Sequence, residues 1–475
     1  MTLSSKIFAP FVHSKRLNLF SLFIAFFILF LFYIIPYTPN GLTVHGKLMI
    51  GILLTAAILW ITEPIPLAAT GLIIMILQPI LGIIPAEEIY STFGNQAVFF
   101  LIGAFIIAAA IETHGLHRRI ALKFLKHFEN TPRGFTFGIM LSSALLSFIM
   151  PEHGVAALFL PIITSILLAM KIIPKESNFG KVSILSIAYG CSIGSLGTLI
   201  GGARNPLTIG FLADAGITVT FLDWMIYAIP VVFICLPVVW LVLQFVFPIE
   251  VDQITQAKNE IEQQVSLQGK IKKKEIIVLS ILIFTVFLWI FFSHYTYFGL
   301  AGIALLGSIL LFISGSITWK DVEKKVPWGI IVLYGGAITL GLGMQQTGAG
   351  HWIAQNLFEL MSGNFYLIVF SLILFTILLT NIMSNTGAVA VLLPIGFALA
   401  TDIPGISPLF ASMIIALSGG LAFVFIIATP GNAITYSSGY FSTKDLFKAG
   451  SIANLICIAI IFVISVVYWK GFLGL

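Results

Sequence analysis

The sequence predicts an all-α polytopic membrane protein built as an inverted repeat with two re-entrant hairpins. The first observation is composition: 59% of the 475 residues are hydrophobic and 9% are charged. A soluble protein needs roughly a quarter charged residues to cover its surface, so lipid must solvate most of this chain. The second is that apolar runs of membrane-spanning length recur throughout the chain, and the third is that breaks in these runs recur at a fixed spacing.

Other classes of protein are excluded by the same composition. The net charge of +5 comes from Lys and Arg in short loops rather than from a basic domain, so no nucleic-acid partner is expected. Three scattered cysteines (Cys191, Cys235 and Cys457) form no metal-binding or disulfide pattern. The adjacent Glu152-His153 pair lacks the HExxH spacing and a third ligand of a metal hydrolase. We expect no enzyme activity and no cofactor.

Eleven apolar runs are long enough to cross a bilayer core, which needs about 20 residues. Lys6, Lys15 and Arg16 precede the first run and suggest a signal peptide, but no small-residue cleavage site follows and more runs do, so we interpret it as a membrane helix. The predicted spans are residues 17–36, 47–63, 67–84, 95–112, 182–200, 224–247, 276–293, 298–315, 328–347, 409–428 and 451–469.

Two further apolar stretches, 135–170 and 365–400, are too long for single spans. Each would measure roughly 54 Å as one helix, against a core of about 30 Å. Each is interrupted near its middle, by Pro151-Glu152-His153-Gly154 and by Ser384-Asn385-Thr386-Gly387. We therefore predict two re-entrant hairpins, each of which enters and leaves on one side.

Basic residues predict the sidedness. Clusters at 118–133, 171–181, 270–274, 320–325 and 444–448 are assigned to the cytoplasm by the positive-inside rule, together with the N-terminus. The first hairpin then opens inward and the second outward. Lys47 is the one exception to the rule, because it lies on the predicted outer side. The prediction is a multi-pass protein of the cell membrane with a cytoplasmic linker over 251–275.

The two halves of the chain repeat. Met150, Gly154 and Leu160-Pro161-Ile162 recur 233 positions later as Met383, Gly387 and Leu393-Pro394-Ile395. A broken helix follows each hairpin, near Asn205 in the first half and Asn432 in the second. Inverted repeats with helices interrupted at matching positions are typical of secondary transporters. The alternative, that glycine and proline are merely common in membrane helices, does not explain breaks in register.

The sequence resembles the divalent anion/sodium symporter family over nearly its whole length. The matching motifs are Thr62-Glu63-Pro64-Ile65-Pro66, Gly115-Leu116-His117-Arg118-Arg119 and, most specifically, Ser384-Asn385-Thr386. The resemblance implies a homodimer with elevator-type alternating access. It implies a scaffold domain (1–130 and 276–361) and a transport domain (131–250 and 362–475), joined by the linker.

A helix broken at the middle of a membrane exposes free N–H groups that favour an anion. Two hairpin tips offer two such ends, which suits a dicarboxylate. The candidate substrate-binding residues are Glu152, His153, Gly154, Asn205, Ser384, Asn385, Thr386, Gly387, Thr429 and Asn432. By resemblance, Thr380, Met383, Asn385 and Ala428 correspond to one sodium site. The alternative for Ser384-Asn385-Thr386 is ordinary helix capping.

The first half departs from the family pattern, because Pro151-Glu152-His153 replaces Ser-Asn-Thr and Gly202-Ala203-Arg204 precedes Asn205. We interpret Arg204, with His153, as a fixed positive charge that replaces sodium, and Gly202 as making room for it. Glu152 is expected to orient Arg204 or His153, and the alternatives for it are a structural counter-ion and a titrating group. The fixed charge predicts sodium-independent antiport of succinate, malate, fumarate or 2-oxoglutarate. The alternatives are proton- or sodium-coupled symport, a channel, and an Arg204 that snorkels to the membrane surface.

Overall fold

The computed structural model describes residues 15–295, 298–361, 363–402 and 405–475. These residues form helices and no strand, which confirms the predicted all-α class. Lys6 lies outside the described residues. The helices, in chain order, are α1 Lys15–Ile34, α2 Val44–Thr62, α3 Leu67–Ile80, α4 Ala86–Ser91, α5 Gln96–Thr113, α6 Leu116–Leu125, α7 Pro132–Leu146, α8 Glu152–Ala169, α9 Asn178–Gly194, α10 Arg204–Asp214, α11 Phe221–Val246, α12 Thr255–Leu267, α13 Lys273–Phe292, α14 Gly299–Ile313, α15 Trp319–Lys325, α16 Trp328–Gln346, α17 Ala349–Leu360, α18 Phe365–Ile382, α19 Asn385–Asp402, α20 Pro408–Ser418, α21 Pro430–Tyr436 and α22 Thr443–Val463, which continues as a π-helix over Ile464–Phe472.

Within the described ranges, nine helices are long and apolar enough to cross a membrane. Several predicted spans are shorter than expected: 67–84 becomes α3 and 298–315 becomes α14, with 14 and 15 residues. Both helices end where the chain turns, at Gly82 and Gly315, which adopt the left-handed conformation that glycine tolerates. The predicted total of eleven spans stays a prediction.

Both long apolar stretches are broken, as predicted, but each break comes a few residues earlier than expected. The first lies between α7 and α8, so Glu152, His153 and Gly154 occupy the first turn of α8 rather than the break. Pro151 is the N-cap residue of this helix, with a non-helical backbone (φ −58°, ψ 143°), so Glu152 takes the first helical position. The second break lies at Met383 and Ser384, before Asn385 opens α19.

The two broken helices also stop earlier than the spans predicted at 182–200 and 409–428. Helix α9 ends at Gly194 and α20 ends at Ser418. Irregular segments of about ten residues separate them from α10 and α21, which begin at Arg204 and Pro430. Two hairpins and two interrupted helices therefore place four irregular backbone segments inside the apolar core, where they need protein partners for their polar groups.

Helix packing follows the sequence repeat. A Cβ added at Gly103 of α5 would lie 2.6 Å from the backbone of Ala304 in α14. A Cβ at Gly336 of α16 would likewise collide with the backbone of Gly71 in α3. The spacing of 233 relates Gly103 to Gly336 and Gly71 to Ala304, so the same close approach of two helices occurs twice, each time between one half and the other. The predicted repeat therefore appears as repeated packing.

The linker helix α12 lies against the first hairpin and against α6. Its Glu260 accepts hydrogen bonds from Ser165 of α8 at 2.6 Å and from Gln264 at 2.9 Å. At its other end, Arg119 of α6 pairs with Glu275 at 2.7 Å and donates to backbone carbonyls at 268 and 269. The linker is therefore an ordered helix that braces the hairpin.

Candidate functional site

The two hairpin tips meet at their helix N-termini. The side-chain nitrogen of Asn385, the first residue of α19, lies 3.4 Å from the Glu152 carboxylate, and Glu152 is the first residue of α8. The two residues are 233 positions apart, which is the repeat spacing. Both are buried, at 6% and 9% exposure. The junction of the tips therefore lies on the axis that relates the two halves.

Arg204 is buried in the middle of this junction, with 2% of its surface exposed. Its Nε donates to the Ala416 carbonyl in the last turn of α20 at 3.2 Å, and its Nη2 donates to Ser195 Oγ at 2.7 Å. The guanidinium thus spans both interrupted helices and lies at the negative end of the α20 dipole. The alternative that Arg204 snorkels to the membrane surface is wrong.

Ser195 connects Arg204 to the first hairpin tip. Its hydroxyl lies 3.1 Å from Glu152 Oε2 and 2.7 Å from the Ser192 carbonyl, so its single hydrogen has two acceptors within reach. The carboxylate of Glu152 is therefore held from one side by Ser195 and from the other by Asn385. Glu152 is therefore connected to Arg204 through Ser195.

Two glycines make room for the guanidinium. A Cβ added at Gly202 would lie 2.6 Å from Arg204 Nη1. A Cβ added at Gly420, in the break of the second half, would overlap Arg204 Nη2. The space expected at Gly202 is therefore present, and the equally necessary space at Gly420 was not predicted.

Asn205 and Asn432 make the same contacts in the two breaks. The Asn205 amide donates to the carbonyls of Ser195 and Thr198, at 2.8 and 2.6 Å. The Asn432 amide donates to the carbonyls of Ala422 and Phe425, at 2.9 and 3.0 Å. In each case the carbonyls lie ten and seven residues upstream. Both side chains therefore hold an irregular segment in place, and the Oδ1 atom of each is buried without a hydrogen-bond partner among the described residues.

Three neutral oxygen atoms converge in the second half. The Thr380 hydroxyl lies 2.8 Å from Asn385 Oδ1 and 2.7 Å from the Gly419 carbonyl. Uncharged oxygen ligands of this kind suit a hard monovalent cation. Met383, three residues after Thr380, and Ala428, in the break of the second half, were expected at the same site, and both are buried. The Thr380 hydroxyl bonds to the Gly419 carbonyl, which was not expected there.

The remaining candidate residues mainly cap helices. Ser384 Oγ accepts from the Gly387 N–H at 3.2 Å, and Thr429 Oγ1 accepts from the Asn432 N–H at 3.0 Å. The Gly154 N–H bonds to the Pro151 carbonyl at 3.0 Å. Side-chain capping is thus observed at two helices of the second half, whereas α8 has no side-chain cap. Thr386 follows Asn385 in the first turn of α19. Capping leaves other N–H groups of these turns available to an anion.

His153 lies apart from the Arg204 network. It lines a cavity of about 950 Å³ that also contacts Gly154, the linker residues Glu260 and Gln264, and a set of charged side chains. Those charged side chains are Glu112, Arg118, Lys324 and Lys325. The structure therefore does not bring His153 and Arg204 together as one positive site.

Sequence reasoning missed Ser195, Gly420 and the Ala416 carbonyl. Ser195 has a detectable signal, because it lies among glycines at 194, 197, 201 and 202, where a helix ends inside the membrane. The Ala416 carbonyl has no sequence signal, since the backbone carbonyl of any residue can accept a hydrogen bond. Its role depends on the long-range contact between the two halves.

Helices interrupted at matching positions and buried polar helix ends are features of membrane transporters. The profile of a family described as "Sodium:sulfate symporter transmembrane region" matches residues 16–475. The chain belongs to this family, the divalent anion/sodium symporter family, as its motifs predict.

Relatives and solved structures agree with this membership. The "Sodium-dependent dicarboxylate transporter SdcS" of Staphylococcus saprophyticus is 30% identical over 93% of this chain and 89% of that protein. Its namesake in Staphylococcus aureus is 31% identical with the same coverage. MtrF of Neisseria gonorrhoeae, titled an antimetabolite efflux pump, superimposes with a TM-score of 0.55 at 12% identity, covering 92% of this chain and 97% of that one. The Alcanivorax borkumensis YdaH transporter gives 0.53 at 13% identity, covering 81% and 87%. The last two show the fold alone.

Proposed function

We propose that the chain is a secondary transporter that carries C4 and C5 dicarboxylates, such as succinate, malate, fumarate and 2-oxoglutarate, together with sodium. The observation that supports this most directly is the group of neutral oxygens on Thr380, Asn385 and Gly419. It lies beside the N-terminus of α19, so a cation there would stand next to a bound carboxylate. The name of the staphylococcal relatives supports the same substrate and coupling ion.

The ends of the helices supply the substrate contacts in this proposal. Helices α8 and α19 point their N-termini at one junction, and α21 begins at the capping residue Thr429. In this proposal the free N–H groups of α19 donate to the substrate, and the side chains of Asn385 and Thr386 are further donors beside them. Because each helix N-terminus carries about half a positive charge, the junction favours a dianion over a monoanion.

A second candidate function is sodium-independent exchange of dicarboxylates, the main prediction from the sequence. The buried guanidinium of Arg204 favours it, because an uncompensated positive charge would hinder the return of an empty carrier. The relatives favour sodium coupling instead. The intact oxygen group in the second half also supports coupling, since only the first half departs from the family pattern.

Purified protein in liposomes separates these functions. Radiolabelled succinate uptake is measured into empty and into succinate-loaded vesicles, with external sodium or choline, and with or without an acidic exterior. Sodium-dependent uptake into empty vesicles supports the proposal. Uptake only into loaded vesicles, equal in sodium and choline, supports exchange. Uptake driven by external acid without sodium would establish proton symport, the remaining alternative.

The architecture of transport is proposed on the same basis. The interlocked pairs α5–α14 and α3–α16 support a rigid scaffold over 1–130 and 276–361. The hairpins with the interrupted helices, over 131–250 and 362–475, would then move as the transport domain in an elevator mechanism. A homodimer in the cell membrane, surrounded by lipid and with a cytoplasmic N-terminus, completes the proposal. Crosslinking in membranes and protease accessibility at residues 251–275 test it.

A further inference from the structure

We propose that Glu152 is a built-in counter-ion for Arg204 that allows the binding site to cross the membrane empty. This inference rests on the proposed function and adds to it the step that returns the carrier. The observation behind it is the geometry of the unit formed by Arg204, Ser195 and Glu152, in which one hydroxyl group contacts both charged side chains.

The unit is closed to solvent. Arg204 is 2% exposed, Ser195 is fully buried and Glu152 is 9% exposed. The Ser195 oxygen is 2.7 Å from the guanidinium and 3.1 Å from the carboxylate. Among the described residues of the two tips and the two breaks, Arg204 and Glu152 are the charged side chains. His153 is not counted with them, because it lines the separate cavity. The empty site therefore holds one positive and one negative group.

Charge balance decides whether an empty carrier can move. A buried charge without a partner carries a desolvation penalty of several kcal/mol, and every change of about 1.4 kcal/mol in a barrier changes a rate tenfold. The guanidinium alone would impose that penalty on the empty site. With Glu152 in place, the two charges compensate one another, and the return step does not require a bound anion.

Glu152 is poorly suited to contact the substrate itself. Its carboxylate would repel a substrate carboxylate, and both of its oxygens already lie near protein donors, Ser195 on one side and Asn385 on the other. It is therefore a positioning and charge-balancing residue. Its removal should act on the empty site more strongly than on the loaded site, because a bound dianion compensates Arg204 in the loaded state.

The test is the Glu152→Gln variant, compared with Glu152→Asp, which keeps the charge. In vesicles with an inward sodium gradient, we expect E152Q to reduce net succinate uptake into empty vesicles by more than about tenfold. Counterflow between loaded compartments should fall by less than about threefold. We expect E152D to retain most net uptake. As a control, the thermal unfolding of each variant is measured in detergent to establish that the variant is folded.

The outcomes separate this inference from the proposed function. Equal losses of net uptake and counterflow in E152Q, or net uptake that stays near the wild-type rate, would overturn the role of Glu152. Wild-type protein that exchanges but never takes up succinate into empty vesicles would overturn it as well. Net uptake that does not change when choline replaces sodium would overturn sodium coupling and leave the role of Glu152 standing.

Discussion

The side-chain nitrogen of Asn385 lies 3.4 Å from the carboxylate of Glu152, and the two residues hold equivalent positions in the two repeats. The repeats therefore touch at their axis through unlike side chains, an amide in one half and a carboxylate in the other. Asn385 also presents its Oδ1 to Thr380 at 2.8 Å. One asparagine thus connects the charged unit of the first half to the neutral oxygen group of the second.

The neutral oxygen group gives the first prediction. We expect Thr380→Val to raise the sodium concentration for half-maximal uptake by about tenfold, since the loss of one oxygen ligand weakens a small cation site by about 1.4 kcal/mol or more. Thr376→Val is the matched control, because Thr376 lies one turn away in α18, is fully buried and donates its hydroxyl to the Leu372 carbonyl of its own helix. Equal sodium dependence in both variants would argue against this site.

The space around Arg204 gives the second prediction. A methyl group at Gly420 would overlap the guanidinium, so we expect Gly420→Ala to displace Arg204 from Ala416 and to abolish most uptake. Gly302→Ala provides the control, since a Cβ there meets no atom within 4 Å. Surface expression and unfolding temperature are measured with uptake. Normal uptake by the Gly420 variant would show that the observed position of the guanidinium is dispensable.

The paired asparagines give the third prediction. Asn205→Ala and Asn432→Ala each remove two buried hydrogen bonds, with a net loss of about 1 kcal/mol per bond. We therefore expect both variants to lower the unfolding temperature in detergent by similar amounts. Asn356→Ala removes one exposed bond and should change it little. A much larger effect at one asparagine than at the other would show that the two breaks are not equivalent in stability.

The charged cavity gives the fourth prediction. Lys325 is paired with Glu112 at 3.2 Å, and burial lowers the pKa of His117, which is therefore neutral at pH 7. Arg118 and Lys324 remain without an ion pair among the described residues. Their two positive charges outnumber the one carboxylate of Glu260, which also lines the cavity, and the remaining positive charge attracts dianions.

We expect Arg118→Gln with Lys324→Gln to raise the KM for succinate about threefold on the cavity side at low ionic strength. The difference should vanish in about 1 M salt, where the Debye length is about 3 Å. Lys320→Gln, on the same helix α15 but away from the cavity, is the control. A change in KM that persists at high salt would indicate a direct binding role instead of attraction over distance.

The sequence was sufficient to predict the all-helical class, the breaks in the two long apolar stretches, both interrupted helices and the family. Those features depend on composition, on glycine and proline placement and on the repeat, all of which are local or periodic. The burial of Arg204 was also predicted, because the glycines around it argue for a broken helix. The exact breaks were displaced by a few residues, because α8 already begins at Glu152 and α19 at Asn385.

The partners of Arg204 could not be predicted, because they come from distant parts of the chain. The Ala416 carbonyl is a backbone group 212 residues away, and Gly420 matters only through the space it leaves. For the same reason, the sequence suggested that His153 would assist Arg204, whereas the fold directs His153 into another cavity. The prediction of obligatory exchange treated Arg204 as unpaired, and Ser195 with Glu152 removes that premise.

The contacts of the linker helix α12 distinguish the first half of the chain from the second. A carrier made of two inverted repeats would have two end states of nearly equal free energy. Contacts made by one half alone change the free-energy difference between those states. The bond from Ser165 to Glu260 is such a contact, and a movement of the first hairpin away from the linker must break it. In the proposed elevator cycle, the free-energy difference between the two end states would therefore depend partly on a segment that belongs to neither repeat.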